Sequence, residues 1–211
     1  MKYRCVIWDW NGTLADDLMA SLQATNDILA MRGMAPISLQ QYYSYIDTPI
    51  SRFYEHLFDL NEFPMEEIGQ AFGQFYPKYF QGLHVGAAEL MKRLRDAEVQ
   101  QVILSSSHRD TVRRDAGRLG ILPWIDEVLA ADDYLGESKQ ERGLRWLEHQ
   151  TVSRTNVVLI GDTLHDYDTA RAMGVDCILC AFGHQARQDL LRTGVPVADS
   201  FSHLEKLLQF S

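Results

Sequence analysis

Several features that would mark particular classes of protein are scarce or missing in this 211-residue chain. It has only three cysteines, an odd number that does not describe a disulfide framework and that favours a reducing, cytoplasmic location. Nowhere do about 18 apolar residues run together, which is the length that a membrane-spanning helix needs. No run of basic residues is longer than Arg113-Arg114, and the net charge is −9. These absences predict a protein without a nucleic-acid partner or a membrane partner.

The first residues carry no signal-peptide pattern, because Asp9, Asn11, Asp16 and Asp17 interrupt the apolar stretches there. The composition, 46% hydrophobic and 23% charged, is typical of a globular protein that buries a core. A chain of this length suits one domain with an elaboration, or one large and one small lobe.

Four short apolar runs predict the strands of a parallel sheet. They are Arg4–Trp8, Gln101–Leu104, Val157–Ile160 and Cys177–Ala181. Apolar runs without alternation suit strands that are buried on both faces, and each run is followed by a turn and a helical pattern. The alternation of strand and helix from Val85 onwards predicts an α/β fold with a Rossmann-like, doubly wound parallel sheet.

Residues 15–83 break this alternation and predict an inserted, all-helical segment. Two stripes of apolar residues lie there at helical spacing. The first consists of Leu14, Leu18, Leu22 and Leu29, and the second of Ile68, Phe72, Phe75 and Tyr79. Pro77 should kink or end the second helix. We therefore predict an α/β core of residues 1–14 and 84–211 and a helical cap domain of residues 15–83.

Polar residues follow three of the predicted strands directly. Asp9 follows the first strand, Ser105-Ser106-Ser107-His108 follows the second, and Asp162 and Asp166 follow a later one. In an open α/β sheet these positions share one edge, where ligands bind. Neighbouring carboxylates repel unless a cation lies between them, and oxygen ligands of this kind favour Mg²⁺. Because Gly12 also lets backbone N–H groups approach an anion, the combination predicts a phosphoryl-transfer site.

Four motifs, in order, resemble those of the haloacid dehalogenase superfamily. They are Asp9-Trp10-Asn11-Gly12-Thr13-Leu14, Val102-Ile103-Leu104-Ser105, Ser138-Lys139 and Gly161-Asp162-Thr163-Leu164-His165-Asp166. Their order and spacing agree with the family over nearly the whole chain. The insertion after the first motif resembles the helical cap of the phosphoglycolate phosphatase-like branch.

The resemblance implies a role for each matching residue. Asp9 would be the catalytic nucleophile that takes up the phosphoryl group, and Lys139 would offset its charge. The residues expected to bind Mg²⁺ are Asp9, Asn11 through its main-chain carbonyl, Asp162 and Asp166. Those expected to bind the substrate are Gly12, Thr13, Ser105, Ser106 and Lys139. The implied function is a Mg²⁺-dependent phosphatase that acts on a small phosphorylated metabolite, with phosphoglycolate as the branch's default substrate.

Asn11, at a catalytic position, departs from the family pattern, which has Asp there as the general acid and base. An amide cannot exchange a proton, and general acid–base catalysis is typically worth about 10²–10⁴ in rate. Turnover is therefore slow, or the leaving group needs no acid, or another group such as His108, His165, Asp16 or Asp17 substitutes. Two other functions stay open: a dehalogenase or phosphonatase on the same fold, and a protein that binds a phosphometabolite or keeps a long-lived phosphoaspartate. The oligomeric state is also open.

Overall fold

The computed structural model describes residues 2–132 and 138–208 and divides into two compact units. The first, which we call the α/β unit, comprises Met1–Ala15 and Gly82–Ser211. The second, which we call the helical unit, comprises Asp16–Gln81. The limits of 15–83 for a cap domain remain a prediction.

The helical unit contains four helices around an aromatic core. They are α1 (Leu18–Met31), α2 (Leu39–Tyr45), α3 (Ile50–Glu55) and α4 (Met65–Tyr79). Leu18, Leu22 and Leu29 are buried in this core as the spacing predicts, whereas Leu14 lies outside α1 and belongs to the α/β unit. Pro77 is inside α4, which ends two residues later at Tyr79.

The α/β unit is built on a parallel sheet of six strands within the described ranges. They are β1 (Cys5–Trp8), β2 (Gln100–His108), β3 (Glu127–Ala131), β4 (Val157–Gly161), β5 (Asp176–Cys180) and β6 (Val197–Ala198). Their order in the sheet is β3-β2-β1-β4-β5-β6, and every neighbouring pair is parallel. The first strand is central and the chain winds outwards on both sides of it, so the predicted doubly wound α/β sheet is confirmed.

The sequence patterns identify the central strands and miss the two edges. β6 has only two residues, too few for a distinct apolar run, whereas β3 carries the buried apolar run Val128–Ala131, which is absent from the predicted strands. β2 is also longer than predicted, because Ser105–His108 continue the strand instead of forming a turn. Its register against β3 shifts between Leu104 and His108, which is where the serine cluster lies.

Helices cover both faces of this sheet, as a doubly wound fold requires. They are α5 (Ala87–Asp96), α6 (Arg109–Arg118), α7 (Lys139–Glu148), α8 (Leu164–Met173), α9 (Arg187–Leu191) and α10 (Phe201–Leu207). Trp146 of α7 and Met173 of α8 pack with Ile7 of β1 on one face. On the other face the ring of Phe201 in α10 stacks on Trp8. None of the described helices is long and apolar enough to cross a membrane.

Candidate active site

Two neighbouring strands deliver carboxylates to the same edge of the sheet. In the register of β1 and β4, Trp8 is opposite Ile160, and the Asp9 N–H donates a hydrogen bond to the Ile160 carbonyl (2.8 Å). Asp9 therefore lies beside the end of β4, which Asp162 follows directly. An oxygen atom of each of Asp9, Asp162 and Asp166 lies within 4.8 Å of the others, and all three residues are buried.

Lys139 places an ammonium group among these carboxylates. It is the first residue of α7, and its position is fixed by a capping box between Ser138 and Glu141. Its Nζ donates to Asp9 Oδ1 and to Asp166 Oδ1 (2.6 Å), and only 3% of its side chain is exposed. Lys139 is thus both the first residue of a capped helix and a cation bonded to two of the three carboxylates.

Asp166 is the most firmly held of the three carboxylates. It forms a capping box with Thr163 at the start of α8, where its Oδ2 accepts from the Thr163 hydroxyl (2.7 Å) and from the N–H groups of Thr163 (3.0 Å) and Asp162 (3.2 Å). Burial disfavours its charge, but Lys139 and the Thr163 hydrogen bonds more than offset that effect and lower its pKa.

Asp162 is held by the loops that follow β1 and β5. Its Oδ1 accepts from the Thr13 hydroxyl (2.9 Å), and its Oδ2 accepts from the N–H of His184 (2.6 Å). A Cβ atom at Gly12 or at Gly183 would overlap the Asp162 carboxylate, and Gly12 has a φ of 73° that favours glycine. A Cβ at Gly161 would likewise overlap Asp166.

The electrostatics of this cluster favour a divalent cation. Burial raises the pKa of Asp9 to about 8, with Asp162 and Asp166 adding to the shift and Lys139 opposing it. Burial also raises the pKa of Asp162 to about 6. With every group ionised, three carboxylates face one ammonium, so negative charge is in excess at a buried place. Since carboxylate oxygens are ligands that hard cations prefer, this set of three aspartates fits a divalent metal ion.

The three serines at the end of β2 have different surroundings. Ser105 is buried, and its Oγ accepts from the Ser107 N–H (3.1 Å). The Ser107 hydroxyl donates to Asn11 Oδ1 (2.6 Å), which joins β2 to the loop after β1. Ser106 is exposed. The site edge therefore includes Ser105, Ser107 and Asn11, and the structure gives Ser106 no contact with the carboxylates.

The groups suggested as substitutes for the missing acid have other surroundings. The His108 imidazole lies 3.1 Å from the main-chain oxygen of Asp132. Asp17 is buried in the helical unit and accepts from the Tyr76 hydroxyl (2.9 Å), and Asp16 is exposed. His165 is half-buried, and burial, with Lys139 adding, lowers its pKa.

Sequence reasoning missed two residues of the site, Gly183 and His184. Both follow β5, as Asp162 follows β4, so the rule that found the carboxylates also applies to them. They attract no attention in the sequence because the group that binds Asp162 is a main-chain N–H, which any residue type can supply.

The chain is similar to known hydrolases. The family model of haloacid dehalogenase-like hydrolases matches residues 6–180. The phosphoglycolate phosphatase of Xylella fastidiosa is 28% identical over 198 residues, which cover 88% of this chain and 83% of that protein. The phosphoglycolate phosphatase of Synechococcus elongatus is 24% identical over 192 residues, 89% of this chain and 88% of that protein.

The same family appears among solved structures. A haloacid dehalogenase-like family hydrolase from Streptococcus pneumoniae superposes with a TM-score of 0.84 at 19% identity, covering 100% of this chain and 99% of that one. This likeness shows that the two chains share a fold.

Proposed function

The chain belongs to the haloacid dehalogenase-like hydrolase family, and from that premise we propose that it is a Mg²⁺-dependent phosphatase. Its substrate is a small phosphorylated metabolite, and the names of the relatives make phosphoglycolate the first one to test. The observation that carries the proposal is the buried cluster of Asp9, Asp162 and Asp166 with Lys139 bonded to two of them.

The residues proposed to hold Mg²⁺ are Asp9, the main-chain carbonyl of Asn11, Asp162 and Asp166. Bound there, the ion would supply positive charge opposite the carboxylates and the phosphate oxygens. Thr13 and the His184 N–H orient Asp162, and Thr163 orients Asp166, so these two carboxylates are fixed in advance.

Asp9 is the proposed nucleophile. A carboxylate oxygen of Asp9 forms a bond to phosphorus while the bond between phosphorus and the leaving-group oxygen breaks, which gives an aspartyl phosphate. Water then attacks this phosphorus, releases inorganic phosphate and restores Asp9. Burial raises the pKa of Asp9 to about 8 although Lys139 opposes the shift, so the positive charge of bound Mg²⁺ would be needed to keep Asp9 ionised at neutral pH.

The substrate phosphate is proposed to lie between the loop after β1 and the end of β2. Gly12 and Thr13 belong to that loop, in which the Gly12 N–H donates to the Ala15 carbonyl (3.1 Å), while Ser105 supplies a hydroxyl on the other side and Lys139 supplies charge. Ser106, which is exposed, contributes less to this set than the sequence predicts.

A second candidate function follows from Asn11, which supplies no acid or base. If turnover is blocked, the protein takes up a phosphoryl group on Asp9 and keeps it, acting as a phosphoaspartate protein. Stoichiometric labelling of Asp9 by a phosphate donor, without phosphate release over many turnovers, would support that function.

The proposal is tested by measuring Mg²⁺-dependent phosphate release over a panel of phosphorylated metabolites that includes phosphoglycolate. Asp9→Asn removes the nucleophile and should abolish release. Asp176→Asn is the matched control, because Asp176 is a half-buried carboxylate, paired with Lys2, at the start of β5 on the opposite edge of the sheet. Full activity in Asp9→Asn, or release of halide from a haloacid without any phosphatase activity, would refute the proposal.

A further inference from the structure

His84 lies where the chain returns from the helical unit to the α/β unit. The helical unit ends at Gln81, and Leu83 forms an isolated antiparallel bridge with Ala15. The next residue continues this pairing, because the His84 N–H donates to the Leu14 carbonyl (3.0 Å). The backbone of His84 is therefore fixed against the loop that follows β1.

The His84 side chain reaches the same loop. Its Nε2 lies 3.2 Å from the Gly12 carbonyl oxygen. A carbonyl oxygen only accepts hydrogen bonds, so Nε2 carries a hydrogen and donates it. The ring packs edge to face with Phe182, with centroids 4.6 Å apart, and lies beside Phe201, which is buried in the core. These aromatic neighbours limit the rotation of the imidazole and keep its donor directed at the loop.

Gly12 is the residue at which this hydrogen bond meets the carboxylate cluster. Gly12 is buried, and a Cβ atom there would overlap the Asp162 carboxylate and the His184 ring. Its main chain therefore lies directly beside Asp162. The Gly12 N–H donates to the Ala15 carbonyl (3.1 Å), while the Gly12 carbonyl accepts from His84, so both of its polar main-chain groups are restrained.

The peptide unit that joins Gly12 to Thr13 transmits this restraint. A peptide unit is planar, so a donor that fixes the Gly12 carbonyl also fixes the Thr13 N–H and limits where Thr13 can lie. The Thr13 hydroxyl in turn donates to Asp162 Oδ1 (2.9 Å). Because glycine has more backbone freedom than other residues, loss of the donor would let this peptide unit rotate.

We propose, resting on the Mg²⁺-dependent function above, that His84 is a positioning residue for the divalent-cation site. Its Nε2–H orients the peptide unit of Gly12 and Thr13, which fixes the Asp162 carboxylate as a ligand. Groups that orient a metal ligand from behind typically contribute about 10- to 100-fold to metal affinity or activity. The imidazole acts through the main chain and is itself neither a ligand nor a proton donor to the substrate.

The affinity for Mg²⁺ without substrate is the measurement that tests this role. Isothermal titration calorimetry gives the Kd for Mg²⁺ in the wild type, in His84→Gln and in His84→Met. Glutamine and methionine side chains have nearly the same length and shape, but only glutamine has an N–H that can donate to the Gly12 carbonyl. Both variants lose the ring contacts with Phe182 and Phe201, so the difference between them reports the hydrogen bond.

The two variants should differ clearly. We expect His84→Met to bind Mg²⁺ about 10- to 100-fold more weakly than the wild type, and His84→Gln to bind within about threefold of it. Wild-type affinity in His84→Met, or equally weak binding in both variants, would overturn the inference.

A third variant, His84→Phe, keeps an aromatic ring beside Phe182 and Phe201 and removes only the donor. It provides the test if loss of the ring prevents His84→Gln and His84→Met from folding. We expect the same loss of about 10- to 100-fold in Mg²⁺ affinity. A folded His84→Phe protein with wild-type affinity would overturn the inference.

The matched control is His149→Phe. The His149 ring also bonds a main-chain carbonyl, that of Arg145 (2.8 Å), but it lies just after the end of α7, whereas the site lies at the start of that helix. Its Kd for Mg²⁺ should equal that of the wild type. A loss as large as that of His84→Phe would mean that the effect is not specific to the Gly12 carbonyl, and the inference would be wrong.

Kinetics separate positioning from direct participation of the imidazole. If His84 acts through the cation site, His84→Met should recover most of its kcat for phosphate release at saturating Mg²⁺. A kcat that stays low in both His84→Met and His84→Gln at saturating Mg²⁺ would mean that the imidazole itself takes part in the reaction, against the inference.

The inference and the proposed function fail in different ways. If the wild type binds Mg²⁺ and Asp162→Asn weakens that binding, but no phosphorylated metabolite is hydrolysed, the proposed function fails and the Kd values still decide the role of His84. If phosphate is released and His84→Met keeps the wild-type Kd, only the inference fails. A wild type that binds no Mg²⁺ overturns the inference.

Discussion

The two units bury polar groups in opposite ways. In the helical unit the buried Asp17 carboxylate accepts a hydrogen bond from a neutral group, the Tyr76 hydroxyl, and the rest of the core is largely aromatic and aliphatic. In the α/β unit three buried carboxylates converge around one ammonium. Buried charge that is not fully compensated costs stability, so the α/β unit keeps a feature that folding alone does not favour. That difference supports the proposed location of the active site in the α/β unit.

The glycines of the two units also differ in how much space surrounds them. A Cβ atom at Gly12, Gly161 or Gly183 of the α/β unit would overlap a carboxylate of the site. At Gly69 and Gly73 in α4 of the helical unit, a Cβ atom would meet nothing within 4 Å. Glycine is therefore required at the site by close packing, whereas in α4 it only weakens the helix.

The largest effect that would test this contrast is expected for Lys139→Met, which removes the ammonium from among the carboxylates. Breaking a buried ion pair by removing one partner typically costs about 3–5 kcal/mol. We expect a loss of that size in the free energy of unfolding without divalent cation, measured by urea denaturation, and a loss of phosphate release. Lys92→Met is the control, because Lys92 is exposed in an i,i+4 pair with Asp96 and should cost at most about 0.5 kcal/mol. Equal costs would show that the cluster is not strained by excess charge.

The next largest effect is expected for Gly183→Ala. The added methyl group overlaps the Asp162 carboxylate and must displace it. Overpacking of this kind costs about 1–3 kcal/mol, and a displacement of about 1 Å in a site can cost 10²-fold in rate. Phosphate release and thermal melting measure the two effects. Gly82→Ala is the matched control, since its nearest contact would be Leu119 at an ordinary 3.6 Å. Wild-type activity in Gly183→Ala would mean that Asp162 does not need its present position.

A smaller effect is expected in the pH dependence of stability. Asp9, with a pKa of about 8, and Asp162, with a pKa of about 6, bind protons more tightly in the folded protein than in the unfolded chain, where the value is about 4. Without divalent cation, the contribution of these two groups to stability should therefore be fully present below about pH 4 and be lost as the pH rises through 6 and 8.

Bound Mg²⁺ should remove that loss, so the rise in Tm on adding Mg²⁺ should be larger at about pH 8 than at about pH 5. Each 1 kcal/mol moves Tm by roughly 2–4 °C in a chain of this size. Asp162→Asn should remove the part of this fall between about pH 4 and pH 6 and leave the part that Asp9 causes. A Mg²⁺ shift of the same size at both pH values would count against a cation between these carboxylates.

The sequence predicts the fold best where a continuous apolar run marks a buried strand and a polar residue follows it. The strands β1, β4 and β5 carry continuous apolar runs because both of their faces are covered, and Asp9 and Asp162 follow their ends. The edge strand β6 escapes that rule because it has only two residues, whereas β3 follows the rule with the buried run Val128–Ala131 although it is absent from the predicted strands.

Only part of the candidate site can be predicted from the sequence, because some of its contacts do not depend on residue type. Side-chain chemistry marks Asp9, Lys139 and Asp166, whereas the contribution of His184 comes from its main-chain N–H and leaves no mark on residue type. Ser107 is visible as one of three serines, but only the register shift in β2 decides that it bonds Asn11 and that Ser106 is exposed. Contacts made by the backbone or set by local register lie beyond a reading of residue types.

The smallest effect, and the one of opposite sign, is expected for Gly73→Ala in α4. Gly73 is exposed within the helix and an added methyl group would meet no neighbour, so the change brings only the higher helix propensity of alanine. We expect a gain of about 1 kcal/mol in the free energy of unfolding, measured by urea denaturation. Gly69→Ala in the same helix should give a similar gain. The same substitution would then stabilise the helical unit and damage the α/β unit, and a loss of stability in both would contradict the contrast between open and occupied glycines.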